Sequence, residues 1–339
     1  MMDSMRLNRR RVILASACLI GSLAVAFPPQ SQAAVLFNDT FGSSTVNSAT
    51  NSPTSTSTNY DVISSKVPTA ISIAPGDLKV SQAASSSEIT EVQGLFTSTP
   101  VILTNVNDFI ELTVTFTDTS GLLGSATSAL YFGLDKSSQV APYNNVNTAT
   151  NLMTTSFTGS ATGGAQSWLG YTNILLGNGG SNSKIFTRPA QSAGTNTNVN
   201  QDVVSNGASG SQSYKNPAGT QLVGASAGST LSLTTGNTYT ADFTLTLTAP
   251  STYTALTNVY SGAAVSGTPL ETVTGTDSTF LANGFDALAL GFRDTANSAA
   301  PTLDVSQVLV QSNVSVPEPA SLGLLGVIGA ALLRRRRDQ

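Results

Sequence analysis

The residues of this chain best suited to chemistry are carboxylates. Glu88 and Glu91 stand three apart, and Glu111 has Asp108 and Asp118 as companions. Two acids can hydrolyse a glycosidic bond when one protonates the leaving oxygen and the other attacks. Neither set reads as such a pair. A Ser/Ala-rich stretch precedes Glu88 where a strand should run, and Glu111 alternates with apolar residues as a solvent-facing strand residue does. Asp286, Asp294 and Asp304 offer oxygen ligands for calcium, but they are scattered singly where calcium needs several clustered carboxylates. The chain has no histidine and one cysteine, Cys18, close to its start. Beyond Cys18 this excludes a Ser-His-Asp triad, histidine-ligated zinc, thiolate nucleophiles and disulfides.

A second group suits binding. Trp168, the only tryptophan, lies close to Tyr171, with Arg188 further on. Sugar C–H faces stack on aromatic rings, and arginine donates to hydroxyls or to carboxylates of acidic glycans. The competing reading makes Trp168 a plug that caps the core beneath a long insertion.

These residues need strands to position them. Ile110, Leu112, Val114 and Phe116 alternate with Glu111, Thr113, Thr115 and Thr117, a period of two with a polar outer face. Tyr239, Ala241, Phe243, Leu245 and Leu247 repeat the pattern, as do Leu130, Phe132 and Leu134, and Leu288, Leu290 and Phe292. Leu303 and Val305 take one face and Val308 and Val310 the other, a phase slip that predicts a bulge. No segment after the N-terminal leader shows a convincing helical period. Residues 43–59 are nearly all Ser, Thr and Asn and read as a loop or irregular edge. Residues 137–183 carry no charge and lead into a second Asn/Gly/Ser-rich tract ending near Gly219, which reads as an elaborated face and the functional surface.

Both ends are addressed elsewhere. Arg6, Arg9, Arg10 and Arg11 precede an apolar run from Val12 to Phe27, and Ser31-Gln32-Ala33 supplies a signal-peptidase site, so cleavage after Ala33 starts the mature chain at Ala34. The basic stretch fits general secretion or a twin-arginine route. Cys18 is poorly placed for lipidation, because Ala15 stands where a leucine belongs. At the other end Pro317-Glu318-Pro319 is followed by a short apolar run from Leu322 to Leu333 and by Arg334, Arg335, Arg336 and Arg337. The prolines enforce an extended segment, and the arginines form a membrane stop that prefers the cytoplasmic side. The apolar run is short of the roughly 20 residues of a comfortable span. Between Ala34 and Asn313 there are 7 Lys plus Arg against 16 Asp plus Glu, a net charge of −9, which disfavours nucleic acid as a partner.

Residues 314–339 resemble the PEP-CTERM sorting signal of bacteria that have an outer membrane, on Val316-Pro317-Glu318-Pro319-Ala320-Ser321, the apolar stretch and the arginine cluster. The resemblance implies recognition by exosortase, a membrane-embedded cysteine transpeptidase, with processing near the Pro-Glu-Pro. Residues 34–313 resemble concanavalin A/laminin G-like jelly-roll domains, on Val35–Phe41, Asn107–Asp118, Phe285–Arg293 and Leu303-Asp304-Val305. That resemblance implies a fold and hardly any activity.

The reading is therefore an all-β antiparallel β-sandwich at 34–313, between a cleaved signal peptide at 1–33 and a sorting signal with a short transmembrane helix at 314–339. It is exported through signal peptidase and exosortase, held first in the inner membrane and then at the cell surface or in the extracellular matrix. It has no catalysis and no cofactor, with calcium left open. The alternative is a carbohydrate-binding module for polysaccharide through Trp168, Tyr171 and Arg188, and a third reading is a carbohydrate-active enzyme.

Overall fold

The computed structural model describes residues 33–48, 52–64, 70–74, 76–82, 88–121, 123–124, 128–140, 164–177, 183–190, 203, 220–226, 230–279, 281–294 and 302–314. Residues 1–32 of the expected signal peptide, and the Pro-Glu-Pro, apolar run and arginine cluster of the expected sorting signal, lie outside them. Among the described residues no helix is long and apolar enough to cross a membrane.

The described residues form strands β1 (Ala34–Asp39), β2 (Thr45–Val46), β3 (Asn59–Ser64), β4 (Ala70–Ala74), β5 (Asp77–Ser81) and β6 (Glu88–Leu95). Then come β7 (Val101–Ile102), β8 (Phe109–Thr117), β9 (Ala129–Lys136), β10 (Leu169–Leu176), β11 (Lys184–Arg188) and β12 (Gln221–Ser226). The last six are β13 (Thr238–Ala249), β14 (Thr252–Ser261), β15 (Glu271–Asp277), β16 (Gly284–Phe285), β17 (Ala287–Asp294) and β18 (Thr302–Ser312). One 3₁₀ turn, Gly164–Ser167, precedes β10. Sixteen strands join a single hydrogen-bonded path, β2-β3-β6-β17-β9-β10-β11-β12-β15-β14-β13-β8-β18-β5-β4, with β1 on β18. All of its pairings are antiparallel except β2 with β3.

That path folds over on itself into two packed layers. Phe132 of β9 meets Phe243 of β13 edge-on at 6.1 Å, and Tyr171 of β10 meets Tyr253 of β14 at 5.8 Å. The layers turn at β12, whose bond to β15 is thin: only Val223 pairs, opposite Thr276, and Val223 is 81% exposed. The inward alternation read from the sequence holds. Ile110, Leu112, Val114 and Phe116 are buried beside Ala241, Phe243 and Leu245 of the neighbouring strand, and Phe132, Leu134, Leu288 and Leu290 of the other layer share their core. The result is an all-β sandwich.

Three expectations need correction. The phase slip in β18 is a bulge between Val305 and Gln307, as expected, but it does not divide the apolar residues between two faces. Ser306 is the extra residue, and it returns Val308 and Val310 to the core face that Leu303 and Val305 already occupy. Next, the polar face of β8 is not open to water at its centre: Thr113 and Thr115 are buried, as is Thr240 opposite. The row Gln307–Thr115–Thr240–Tyr260 explains this, because two short threonines stand between a glutamine and a tyrosine and share a hydroxyl hydrogen bond of 3.4 Å. Lastly, the uncharged stretch after Ser137 does not stand apart as an elaborated face. Of the tract that runs from there towards Gly219, the described parts include the turn at Gly164–Ser167 and strands β10 and β11, which sit inside the first layer, while 141–163, 178–182, 191–202 and 204–219 lie outside the described residues.

Candidate functional site

The three residues expected to bind ligand come together, but they do so inside the protein. Odd positions of β10 point to the core between the layers, so Tyr171 stacks there and its hydroxyl donates to Asp277 Oδ2 at 2.6 Å. Even positions point to the outer side of the first layer. Trp168, just before β10, lies over that side with Tyr131, Phe186, Ala165 and Val203 in a second apolar cluster, and its indole Nε1 donates to Val140 O at 2.8 Å. Arg188 ends β11 and donates through Nη1 to the carbonyl of Trp168 and, at 3.4 Å, to that of Gln166. All three side chains are 0% exposed. A sugar ring cannot reach either aromatic face, so the ligand role for Trp168, Tyr171 and Arg188 is withdrawn in favour of the plug.

Under this cover lies a polar layer. Asp135 of β9 and Arg188 of β11 stand in one cross-strand row with Gly170 of β10 between them. A side chain at Gly170 would collide with the carbonyl of Leu134 and sit 2.6 Å from Asp135 Oδ1, so the row closes only over glycine. Neither carboxylate oxygen of Asp135 has a hydrogen-bond partner among the described residues. Burial pushes its pKa up to about 8; the Arg188 charge opposes this, and the Glu91 and Asp286 charges add to it.

The remaining acids are mostly tied to their own surroundings. Glu91 accepts from Gln93 Nε2 at 2.6 Å and from the amide of Val203 at 3.0 Å. Asp286 accepts from the amide and hydroxyl of Ser137 and from Gln139 Nε2 at 2.8 Å. Asp108 accepts from the amides of Thr104 and Asn105, and Asp118 from that of Leu123. Asp39 takes three donors, from Phe41, Ser44 and Tyr60. Asp39, Asp108 and Asp118 are turn and loop anchors, the use to which short carboxylates are often put, whereas Glu91 of β6 and Asp286 tie distant segments to the first layer. The side chains of Glu88 and Asp294 lie outside the described residues. Among the described residues no three acids lie close enough together to hold a metal ion.

Glu111 and Asp242 form a further pairing, on the outer side of the second layer. Glu111 sits opposite Thr244 and Asp242 opposite Thr113, so the two acids are diagonal neighbours on adjacent strands. Burial, then the charge of Glu111 and a hydrogen bond with it, lift the Asp242 pKa to about 8. The neighbouring donors, Gln311 Nε2 and the Thr113 hydroxyl, go to Glu111 Oε1.

Accessible polar surface continues from there across β13, β14 and β15. Thr246, Thr254 and Thr276 form one cross-strand row, and Thr244, Leu256 and Thr274 the next. Asp242, Asn258 and Thr272 make the third. Thr272, Thr274 and Thr276 are exposed, and Thr244, Thr246, Thr254 and Asn258 are half-buried. Internal bonds are few: Thr248 with Thr254 at 3.2 Å, and Thr272 to Asn258 Oδ1 at 2.9 Å. This grid of hydroxyls, each able to donate once and accept twice, presents both halves of a hydrogen bond. The signal for it was present in the alternation of Thr272, Thr274 and Thr276 and in the TYTALTNVY run of β14, which the search for acids and aromatics passed over.

Ala33, the residue expected before signal cleavage, immediately precedes β1. No protein-family model matches the chain, and no curated protein matches it. Among solved structures it is similar to lectin II from Ulex europaeus, at 13% identity over 75% of this chain and 93% of that one, with a TM-score of 0.36. The legume lectin-like domain from Entamoeba histolytica matches at 9% identity over 74% and 88%, with a TM-score of 0.36. The exoplasmic/lumenal domain of VIP36, in a Ca2+/Man3GlcNAc-bound form, matches at 10% identity over 77% and 85%, with a TM-score of 0.37. At such scores function does not transfer from any of them.

Proposed function

We propose that this chain is an exported, surface-sorted β-sandwich that binds polysaccharide and has no catalysis of its own. The observation that carries the binding half is the threonine grid on β13–β15. Sugar hydroxyls are donors and acceptors at once, and a nearly uncharged field of hydroxyls and an amide suits neutral glycans without demanding the desolvation of ions. The non-catalytic half draws support from the engagement of four acids with backbone amides: Asp108 and Asp118 hold amides of their own loops, and Glu91 and Asp286 hold the distant amides of Val203 and Ser137. A carboxylate used as a loop anchor is not poised to transfer protons to a substrate. We take the sandwich as a jelly roll of the concanavalin A type.

The sorting half rests on the ends of the sequence. Signal peptidase releases the chain after Ala33, and exosortase reads Pro317-Glu318-Pro319 with Arg334–Arg337 as the stop. Export and membrane anchoring precede release to the surface or matrix. Two experiments separate the halves. Replacing Glu318 with Ala is expected to leave full-length precursor in the inner membrane, and normal processing would refute the sorting assignment. A glycan array probed with the mature chain is expected to show binding to neutral polysaccharide, and a blank array would refute the ligand class.

A further inference from the structure

Both ends of the described domain leave from one rim. Ala34, the first residue of β1, pairs with Ser312, the last of β18, so the chain enters and exits side by side. The exit is pinned. Asn313 accepts from the amide of Phe109 at 2.8 Å and donates to the carbonyl of Asn107 at 2.9 Å, while the amide of Val314 donates to the Ser312 hydroxyl at 3.0 Å. The same rim carries the turn before β8, where Asn107 has a φ of 76° and its amide donates to the carbonyl of Leu247 at 2.8 Å.

Two large apolar side chains are exposed beside this exit. Val35 is 56% exposed and lies opposite Gln311, and Val106 is 49% exposed and precedes the pinned Asn107. Among the described residues Ile102, Val223, Val265 and Leu270 are also exposed, with Val265 and Leu270 in the loop after β14 at the opposite rim; Val35 and Val106 are set apart by flanking the point from which the sequence runs towards its apolar stretch. From Val314 to Leu322 there are eight residue steps, which fully extended reach about 28 Å at most. The prolines at 317 and 319 restrict how that short connector can bend.

We propose that this rim is the face the domain turns to the lipid bilayer while its tail holds it there, with Val35 and Val106 meeting the headgroup layer of a zwitterionic membrane. The proposal rests on the reading of residues 317–337 as a membrane-sorting tail. Zwitterionic rather than anionic lipid is the partner because the charged groups at the start of β8, Asp108 and Glu111, are acidic and would be repelled by anionic headgroups. The opposite rim, at Thr119, Ser120 and Asn237, then points away. β8 has nine residues between the two rims, a separation of roughly 30 Å.

The absence of cysteine beyond Cys18 makes the test clean. In a Cys18→Ser background, Val106→Cys and Asn237→Cys place one fluorophore at the near or the far rim of the full chain. Each is reconstituted into phosphatidylcholine vesicles that carry a headgroup quencher. The expected result is several-fold stronger quenching at position 106 than at position 237. Equal quenching, or more at 237, in protein that floats with the vesicles overturns the orientation and leaves the sorting tail standing. Failure to float with the vesicles overturns the tail reading and the orientation with it.

Discussion

Asp135 is a side chain that departs far from its ordinary behaviour. Its folded pKa of about 8, against an ordinary 3.8, means that the folded protein holds a proton that the unfolded chain has released between those values. The stability this confers is whole below about pH 4, shrinks as pH rises, and is gone above about pH 8. Asp242 acts in the same sense over the same window, with burial and Glu111 as the causes. Asp277 has the opposite sign. Burial raises it, but donors from Thr279, Tyr171 and Leu281 outweigh burial and leave it lowered, so its contribution is lost in acid. Melting temperature should therefore fall from about pH 5 to about pH 9, and Asp135→Asn should flatten that fall; an unchanged slope in the variant would contradict the assignment. Trp168→Ala is expected to lower the melting temperature sharply, since emptying a fully buried tryptophan site costs about 3–5 kcal/mol. A shift within error would return Trp168 to the surface. Neither residue was legible in advance. A lone tryptophan in an uncharged stretch reads equally as platform or plug, and the burial of Asp135 depends on Gly170, 35 positions along the chain and adjacent only through strand register.

Strands were far more legible, because alternation is local. Each inward set on β8, β9, β13 and β17 was written in period two, and the structure buries all four. What alternation cannot supply is the neighbour. Thr115 looks exposed from its own strand, and only the row it shares with Gln307, Thr240 and Tyr260 explains why it is buried. The bulge in β18 was visible as a slip, but its sense required the partner strand: Val305 pairs with Phe116 and Gln307 with Thr115, leaving Ser306 unpaired. Deleting Ser306 should force Leu303 and Val305, or else Val308 and Val310, to the outer face and abolish the cooperative melt of the domain. Ser306→Ala, which keeps the extra residue, should melt within a few degrees of the parent. Equal behaviour of the two variants in a thermal scan followed by circular dichroism would show that the bulge does not set the phase.

The whole molecule divides its polar residues by location. On the outer side of the first layer they are roofed by Trp168, Phe186 and Val203, whereas on β13–β15 they reach water. A sequence shows which residues can bind, but covering is a property of the fold. This is why the expected ligand residues turned out to be interior and the threonine rows were not chosen. The reading of the export and sorting ends, by contrast, rests on linear order and hydropathy alone, since those residues lie outside the described ones. The central claim is that the open threonine grid binds polysaccharide. The most direct test is affinity electrophoresis of the mature chain through gels containing a neutral polysaccharide that it binds on the array, with Thr254→Glu as the comparison. Thr254 is half-buried at the centre of the row Thr246–Thr254–Thr276, so a carboxylate there disrupts the hydroxyl field without entering the core. The account predicts that the parent is retarded and the variant migrates freely at an unchanged melting temperature. Equal retardation of the two would contradict it.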